Sequence, residues 1–255
     1  MLNLAARARR LFSHPLFLIA TTDATRPGHR RSHWQLADKG EAVPAPAPFD
    51  GATPLIDLPL LALDTETTGL DPEHDRIVSL AAAPLMGARL YLHQATNFLI
   101  NPACTIPIAT TAIHGIADHH VAGLPPFASR AAEVATLLRN HVLLGHNIIF
   151  DAMILQQEMC RVEENWQAPP FLDTMLLYAT VQPRARSYGL DLAARKLRVS
   201  LAGRHTALGD VLIALDLFYR LLPLLAERGI VTLAQAQTAS RETLNNLRER
   251  HRRNG

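Results

Sequence analysis

The sequence predicts an α/β domain in which a mixed sheet is flanked by helices. Three observations carry this. Apolar segments of strand length crowd residues 58–101. From 125 onward, segments of helical spacing alternate with short strands. Strands first, then alternating helix and strand, is the order that covers a mixed sheet with helices. The chain has 255 residues and is 48% hydrophobic, enough for a sizeable core.

Taken in order, residues 1–54 read as a basic extension and linker. Arg7, Arg9, Arg10, Arg26, Arg30 and Arg31 are spread through it, with a short helix over 2–12. It closes on EAVPAPAPFDGATP, whose prolines favour an extended chain. LPLLALD then reads as a buried strand with Pro59 at its start, where a missing N–H is tolerated. RIVSLAAAPL (76–85) and ARLYLHQATNFLIN (88–101) read as two more strands. Residues 125–141 carry helical spacing at Val134, Leu137 and Leu138. VLLGHN (142–147) is a strand, 148–166 an amphipathic helix, PPFLDT a short strand, and TMLLYATV, LDLAARKL and ALGDVLIALDLFYRLLPLLAERG helices. Residues 231–255 read as a polar, Arg-rich helical tail. The main domain is therefore expected over 55–230.

Formal charge is +2 but unevenly spread. Residues 1–41 carry seven Lys/Arg against three acids, and 241–255 five against two, which leaves thirteen against eighteen between them. Basic ends on an acidic body suit an enzyme that handles a polyanion with metal, and also plain solvated surface. Two cysteines, Cys104 and Cys160, without a CxxC exclude a zinc ribbon or a disulfide framework. No apolar run approaches the ~20 residues of a membrane span. The N-terminal apolar stretch is broken at Ser13, His14 and Pro15, unlike a secretory signal. The expectation is a cytoplasmic protein without membrane contact.

The chemistry concentrates where strands end. In LLALDTETTGLDP, Asp64 and Glu66 are two apart on a strand and share a face, while Thr65 points the other way. Two adjacent carboxylates repel unless a proton or cation intervenes, and an all-oxygen acid site favours Mg²⁺ or Mn²⁺. Gly69 lets the chain turn sharply. A rival reading takes Asp64 to Asp75 as an EF-hand loop. It fails on Glu at position three, Asp at position twelve, and a strand where the exiting helix belongs. In LLGHNIIFD, Asn147 and Asp151 share a helical face, and Asn147 is a candidate cap. Apolar neighbours around Asp151 predict a buried, paired acid. In GRHTALGD, His205 and Asp210 would point about 140° apart within one helix. They converge more easily if His205 precedes the helix and Asp210 lies in its first turns, at the favourable end of its dipole.

Together, DTETTG, GHNxxFD and HxALGD resemble the three motifs of the DEDDh (DnaQ-like) 3′–5′ exonuclease family, which includes the epsilon proofreading subunits of bacterial DNA polymerase III. The resemblance spans roughly 55–230, and TTAIHGI (110–116) and FLDT (171–174) add to it. It implies a ribonuclease H-like fold with a five-stranded mixed sheet. It also implies that Asp64, Glu66, Asp151 and Asp210 ligate two Mg²⁺ or Mn²⁺ and that His205 is the general base. An imidazole, titrating near neutrality, suits that role. Such a pair of ions ~3.5–4 Å apart clamps the attacking and leaving oxygens of a phosphodiester. The implied activity is release of nucleoside 5′-monophosphates from 3′ ends of single-stranded DNA or mismatched primers, in proofreading or repair, with a DNA polymerase as candidate partner.

Substrate contacts implied by the resemblance fall on Thr65, Thr67, Leu70, His114 and Asn147. Asp173 reads as an N-cap, and His119 and His120 as surface residues. Arg184, Arg186, Arg204 and Tyr188 are candidates for holding the strand. The tail has Gln235 and Gln237 but no recognisable sliding-clamp motif. Two alternatives stay open: an exoribonuclease of the same fold, and a non-catalytic module that binds nucleic acid or a polymerase.

Overall fold

A computed structural model describes residues 34–162 and 166–254. In chain order the strands are β1 (Gln35–Leu36), β2 (Pro59–Thr67), β3 (Ile77–Met86), β4 (Arg89–Leu90), β5 (Thr96–Leu99), β6 (Val142–Gly145) and β7 (Phe171–Asp173). The helices are α1 (Ile108–His114), α2 (Asp118–Val121), α3 (Ala131–Leu138), α4 (Ile148–Arg161), α5 (Thr174–Val181), α6 (Leu190–Leu197), α7 (Ala207–Ala226) and α8 (Leu233–Asn254). The sheet runs β1-β4-β3-β2-β6-β7, with β5 also on β3. β2 is antiparallel to β3 and parallel to β6, and β6 is parallel to β7. The expected mixed α/β sheet is present, with seven strands among the described residues instead of five.

One of the two extra strands comes from the stretch expected as one strand over 88–101. It divides into β4, a 3₁₀ turn at Leu92–Gln94, and β5. The cause is Pro84. β4 pairs with Leu85 and Met86, and β5 with Ser79 to Ala82. The Pro84 carbonyl accepts from Tyr91 N on this side of β3. An antiparallel residue turns its N–H and C=O to the same neighbour, so the proline's missing donor falls in the gap between the two ladders. The other extra strand is β1, from the basic arm, which pairs with β4. Around it the Trp34 indole donates to Asp216 at 2.7 Å and Glu41 accepts from Arg89. Residues 42–50 carry no regular structure. The expected helix at 2–12 lies outside the described residues.

The alternation of β2 sets up two layers. Leu60 and Ala62 face one core, built with α7 and α8 through residues such as Leu215, Phe218 and Leu233. Leu61 and Leu63 face the other, built with α3 and α4 through Val134, Ile154 and Leu155. Helix α4 is also tied down by charge. Glu158, 1% exposed, accepts from Arg76 Nε at 2.7 Å and Nη2 at 3.0 Å, and from Ile77 N at 3.3 Å. The first turn of the expected helix at 125–141 is 3₁₀, at Phe127–Ser129. No helix among the described residues is long and apolar enough to cross a membrane.

Candidate active site

The C-terminal ends of β2, β6 and β7 converge on one edge of the sheet, and the acids gather there. The period of two along β2 sends Asp64 and Glu66 toward α7, where Asp210 sits in the first turn. One carboxylate oxygen from each of Asp64, Glu66 and Asp210 lies within 4.8 Å of the others. Thr65 faces the opposite layer and holds Asp151, in the first turn of α4. Its N donates to Asp151 Oδ1 at 2.9 Å and its hydroxyl at 2.6 Å. Asp151 is buried and outside that set of three, but close enough to Asp64 to repel its charge.

Burial and repulsion fix the electrostatics. Burial, then Asp151, Asp210 and Glu66, push Asp64 well above the ordinary carboxylate range. Burial and Asp210 raise Glu66 to about 7. Burial raises Asp151 against its two bonds from Thr65. Asp210 is raised by burial and pulled back by Arg204 and His205. The Arg204 guanidinium faces this negative charge: Nη1 donates to Asp210 Oδ2 at 2.6 Å, and Nε to Asp191 Oδ1 at 2.6 Å. The other oxygen of Asp210, Oδ1, is buried with no hydrogen-bond partner. Hard oxygen donors, uncompensated charge and an unpartnered buried oxygen fit a divalent cation.

His205 lies in the loop before α7, with its side chain exposed and φ of 67°. The structure therefore puts it five residues before Asp210 and outside the acid cluster. The loop is fixed by Thr206, whose hydroxyl accepts from Gly209 N at 3.1 Å and donates to Gly203 O at 2.7 Å. A Cβ on Gly209 would stand 1.9 Å from Gly203 O, so only glycine allows this approach.

The remaining expected residues fall as follows. Thr67 donates to Gly69 O at 2.6 Å. The chain bends over 68–70, as expected, although Gly69 is not in the left-handed region. A side chain is forbidden there because its Cβ would meet the Asp75 carboxylate at 2.3 Å. Asp75 accepts from the Thr68 hydroxyl and Asp71 N, so it organises the turn and stays out of the acid cluster, unlike an EF-hand ligand. Leu70 is 88% exposed. His114 accepts from Ile116 N through Nδ1 at 3.0 Å, which leaves Nε2–H facing Thr67 O at 3.3 Å and ties α1 to the end of β2.

Asn147 stands at the N-cap of α4 with φ of 62°, but its side chain makes no capping bond. Its N–H instead donates to Asp173 Oδ1 at 2.9 Å, and Asp173 caps α5 through Met175 N. His146 is held between the Thr174 hydroxyl and Tyr188 O, both at 3.0 Å. Burial lowers its pKa to about 4. The Asp191–Arg204 contact and the His146 clasp were not read from the sequence. Their partners lie 13 to 42 residues away and no short motif joins them.

An acidic cluster able to hold a metal ion, at the end of an interior strand of a ribonuclease H-like sheet, is an arrangement suited to hydrolysis. Residues 61–218 match the sequence model of the exonuclease family RNase_T, and the chain belongs to that family. It is 37% identical over 193 residues to a DNA polymerase III subunit epsilon-like protein of Rhodobacter capsulatus, covering 74% of this chain and 27% of that protein. It is 29% identical over 168 residues to DNA polymerase III subunit epsilon of Rickettsia prowazekii, covering 63% and 72%. A PolC-type DNA polymerase III of Thermotoga maritima is 28% identical over 182 residues, covering 71% and 13%. The chain thus spans only about a quarter of the Rhodobacter relative and an eighth of the Thermotoga one. Among solved structures, E. coli exonuclease I in complex with a dT13 oligonucleotide superposes with a TM-score of 0.59 at 18% identity, covering 67% of this chain and 42% of that one. Exonuclease X in complex with 5′-overhanging duplex DNA gives 0.54 at 21%, covering 71% and 99%. These two show a shared fold.

Proposed function

We propose that this chain is a metal-dependent 3′–5′ exonuclease that hydrolyses DNA and releases nucleoside 5′-monophosphates. The observation that carries the reading is the convergence of Asp64, Glu66 and Asp210 within 4.8 Å, with buried Asp151 behind them. These four carboxylates would hold two divalent ions, Mg²⁺ or Mn²⁺. When bound, the ions supply positive charge to the phosphodiester and acidify the attacking water. Asp64 and Glu66 hold their positions through the strand, Asp210 through Arg204, and Asp151 through Thr65. His205, exposed beside Asp210, takes the proton from the attacking water. Thr65 to Thr67 line the 3′-terminal sugar, and exposed Leu70 meets the terminal base, with His114 fixing the wall behind them.

Exonuclease I and exonuclease X, which share this fold, were both solved with DNA, and this supports a DNA substrate. The likeness to epsilon-type proteins of Rhodobacter and Rickettsia supports a proofreading or repair role beside a DNA polymerase. The test is a 5′-labelled single-stranded DNA with Mg²⁺. A ladder shortening from the 3′ end, lost with EDTA and in Asp64→Ala and His205→Ala, is expected. An intact oligonucleotide with wild type, also with Mn²⁺, defeats the proposal. Faster loss of a matching RNA reassigns the substrate.

A further inference from the structure

The cluster that would cut a strand is acidic, so something else must attract the strand's phosphates. The loop from 182 to 189, between α5 and α6, carries Arg184 and Arg186, both exposed. It is pinned beside the acid site. Tyr188 O contacts His146, next to the end of β6, and the Tyr188 hydroxyl donates to Pro183 O at 2.9 Å. Two residues beyond the loop, Asp191 binds Arg204, which binds Asp210. The same Pro183 carbonyl accepts from Arg250 Nη1 at 2.8 Å. That bond brings the last turns of α8, with exposed Arg248 and Arg252, against the loop. The helix is also held by a Thr180–Thr243 hydroxyl pair at 2.8 Å. Hydrogen bonds and the short loop thus connect Asp210 to the basic end of α8.

None of Arg184, Arg186, Arg248, Arg250 and Arg252 pairs with a carboxylate among the described residues, whereas Arg253 pairs with Glu249. The dipole of α8 accounts for cations in its last turn, but not for two arginines on a separate loop. Residues 42–240 carry eighteen acids against thirteen Lys/Arg, so this concentration of positive charge runs against the body's balance. Guanidinium groups offer the fork that binds phosphate oxygens. We propose that the 182–189 loop and the C-terminal turns of α8 form a phosphate-binding track for the strand 5′ of the bond being cut. This rests on the nuclease reading of the acid site. The track binds nucleic acid through backbone charge and not through base edges, so its contribution depends on salt.

The experiment measures binding of fluorescein-labelled dT20 to the full chain in EDTA, where nothing is cut, as a function of salt. Arg184→Ala/Arg186→Ala and Arg248→Ala/Arg250→Ala are compared with wild type and with the matching Lys pairs. Each Ala pair is expected to weaken binding about tenfold at low salt. The salt slope should become shallower by about 0.7 for each phosphate that is no longer neutralised. The Lys pairs should retain most of the affinity. Thermal melts of Arg184→Ala/Arg186→Ala should match wild type because these side chains are exposed, whereas Arg248→Ala/Arg250→Ala also loses the Arg250–Pro183 bond and is compared through its Lys pair. Unchanged affinity and slope in both Ala pairs overturns the proposal. So does an equal weakening in the Lys pairs, which would assign the effect to the arginines' hydrogen bonds within the fold. Stronger displacement by polyglutamate than by unlabelled dT20 would assign the surface to an acidic protein. If wild type binds dT20 but does not degrade it with Mg²⁺, the nuclease reading fails and the track stands. If it degrades dT20 while the Ala pairs bind normally, the reverse holds.

Discussion

Replacing Glu66 with Gln should stabilise the metal-free protein while impairing the site. Glu66 faces Asp64 and Asp210, and its pKa rises from 4.5 to about 7, chiefly through burial and then through Asp210. The sign follows from linkage: a carboxyl raised in the folded state is neutral in both states at low pH. As pH climbs from 4.5 toward 7 the unfolded chain releases the proton first, and folding loses stability. The ceiling is the difference between 4.5 and about 7, which corresponds to on the order of 3 kcal/mol. Partial exposure and salt reduce this to about 1–2 kcal/mol. For a domain of this size that is a rise in Tm of roughly 2–8 °C. The assay is thermal unfolding of wild type and Glu66→Gln in EDTA at pH 8 and at pH 4, then at pH 8 with Mn²⁺. The gain should appear at pH 8, vanish at pH 4, and shrink or reverse with Mn²⁺, because wild type then gains more. An equal or lower Tm for the variant at pH 8 in EDTA would refute the reasoning, since the acids would then not repel one another.

Three further outcomes concern other parts of the molecule. Glu158→Gln leaves Arg76 without its buried counter-charge and should cost about 3 kcal/mol in denaturant unfolding, while Mn²⁺ affinity stays near the wild-type value. His146, held neutral with a pKa near 4, contributes stability that disappears as pH falls from 6.5 to 4. His146→Gln should flatten that acid limb of the stability profile. Gly209→Ala drives a methyl into Gly203 O and should displace the loop that carries His205. Oligonucleotide cleavage should then fall at least tenfold at a temperature where the variant remains folded, as circular dichroism will show.

Much of this molecule was legible because it rests on short-range periodicity. The alternation in β2 separates Asp64 and Glu66 from Thr65 in the sequence, and the sheet keeps that separation. His205 before α7 and Asp210 within it follow from helix geometry. What escaped depends on distant partners. Pro84 breaks the β4–β5 ladder only because its missing N–H faces that side, and the sequence does not say which side that is. Glu158 left a trace that was open to reading: an acid on the stripe of Ile154, Leu155 and Met159 has to be paired. Its partner Arg76 lies 82 residues away and is not marked. Arg204 was visible as a cation beside His205, but its bridge to Asp191 exists only once α6 is docked.

The central claim is that acids at the end of a buried strand are tolerated because they hold divalent cations. It is tested most directly by titrating Mn²⁺ into EDTA-stripped protein in a calorimeter, with Asp64→Asn and Asp210→Asn alongside. The account predicts saturable binding to wild type, weakened at least tenfold in each variant. Binding absent in wild type, or equal in all three proteins, would contradict it.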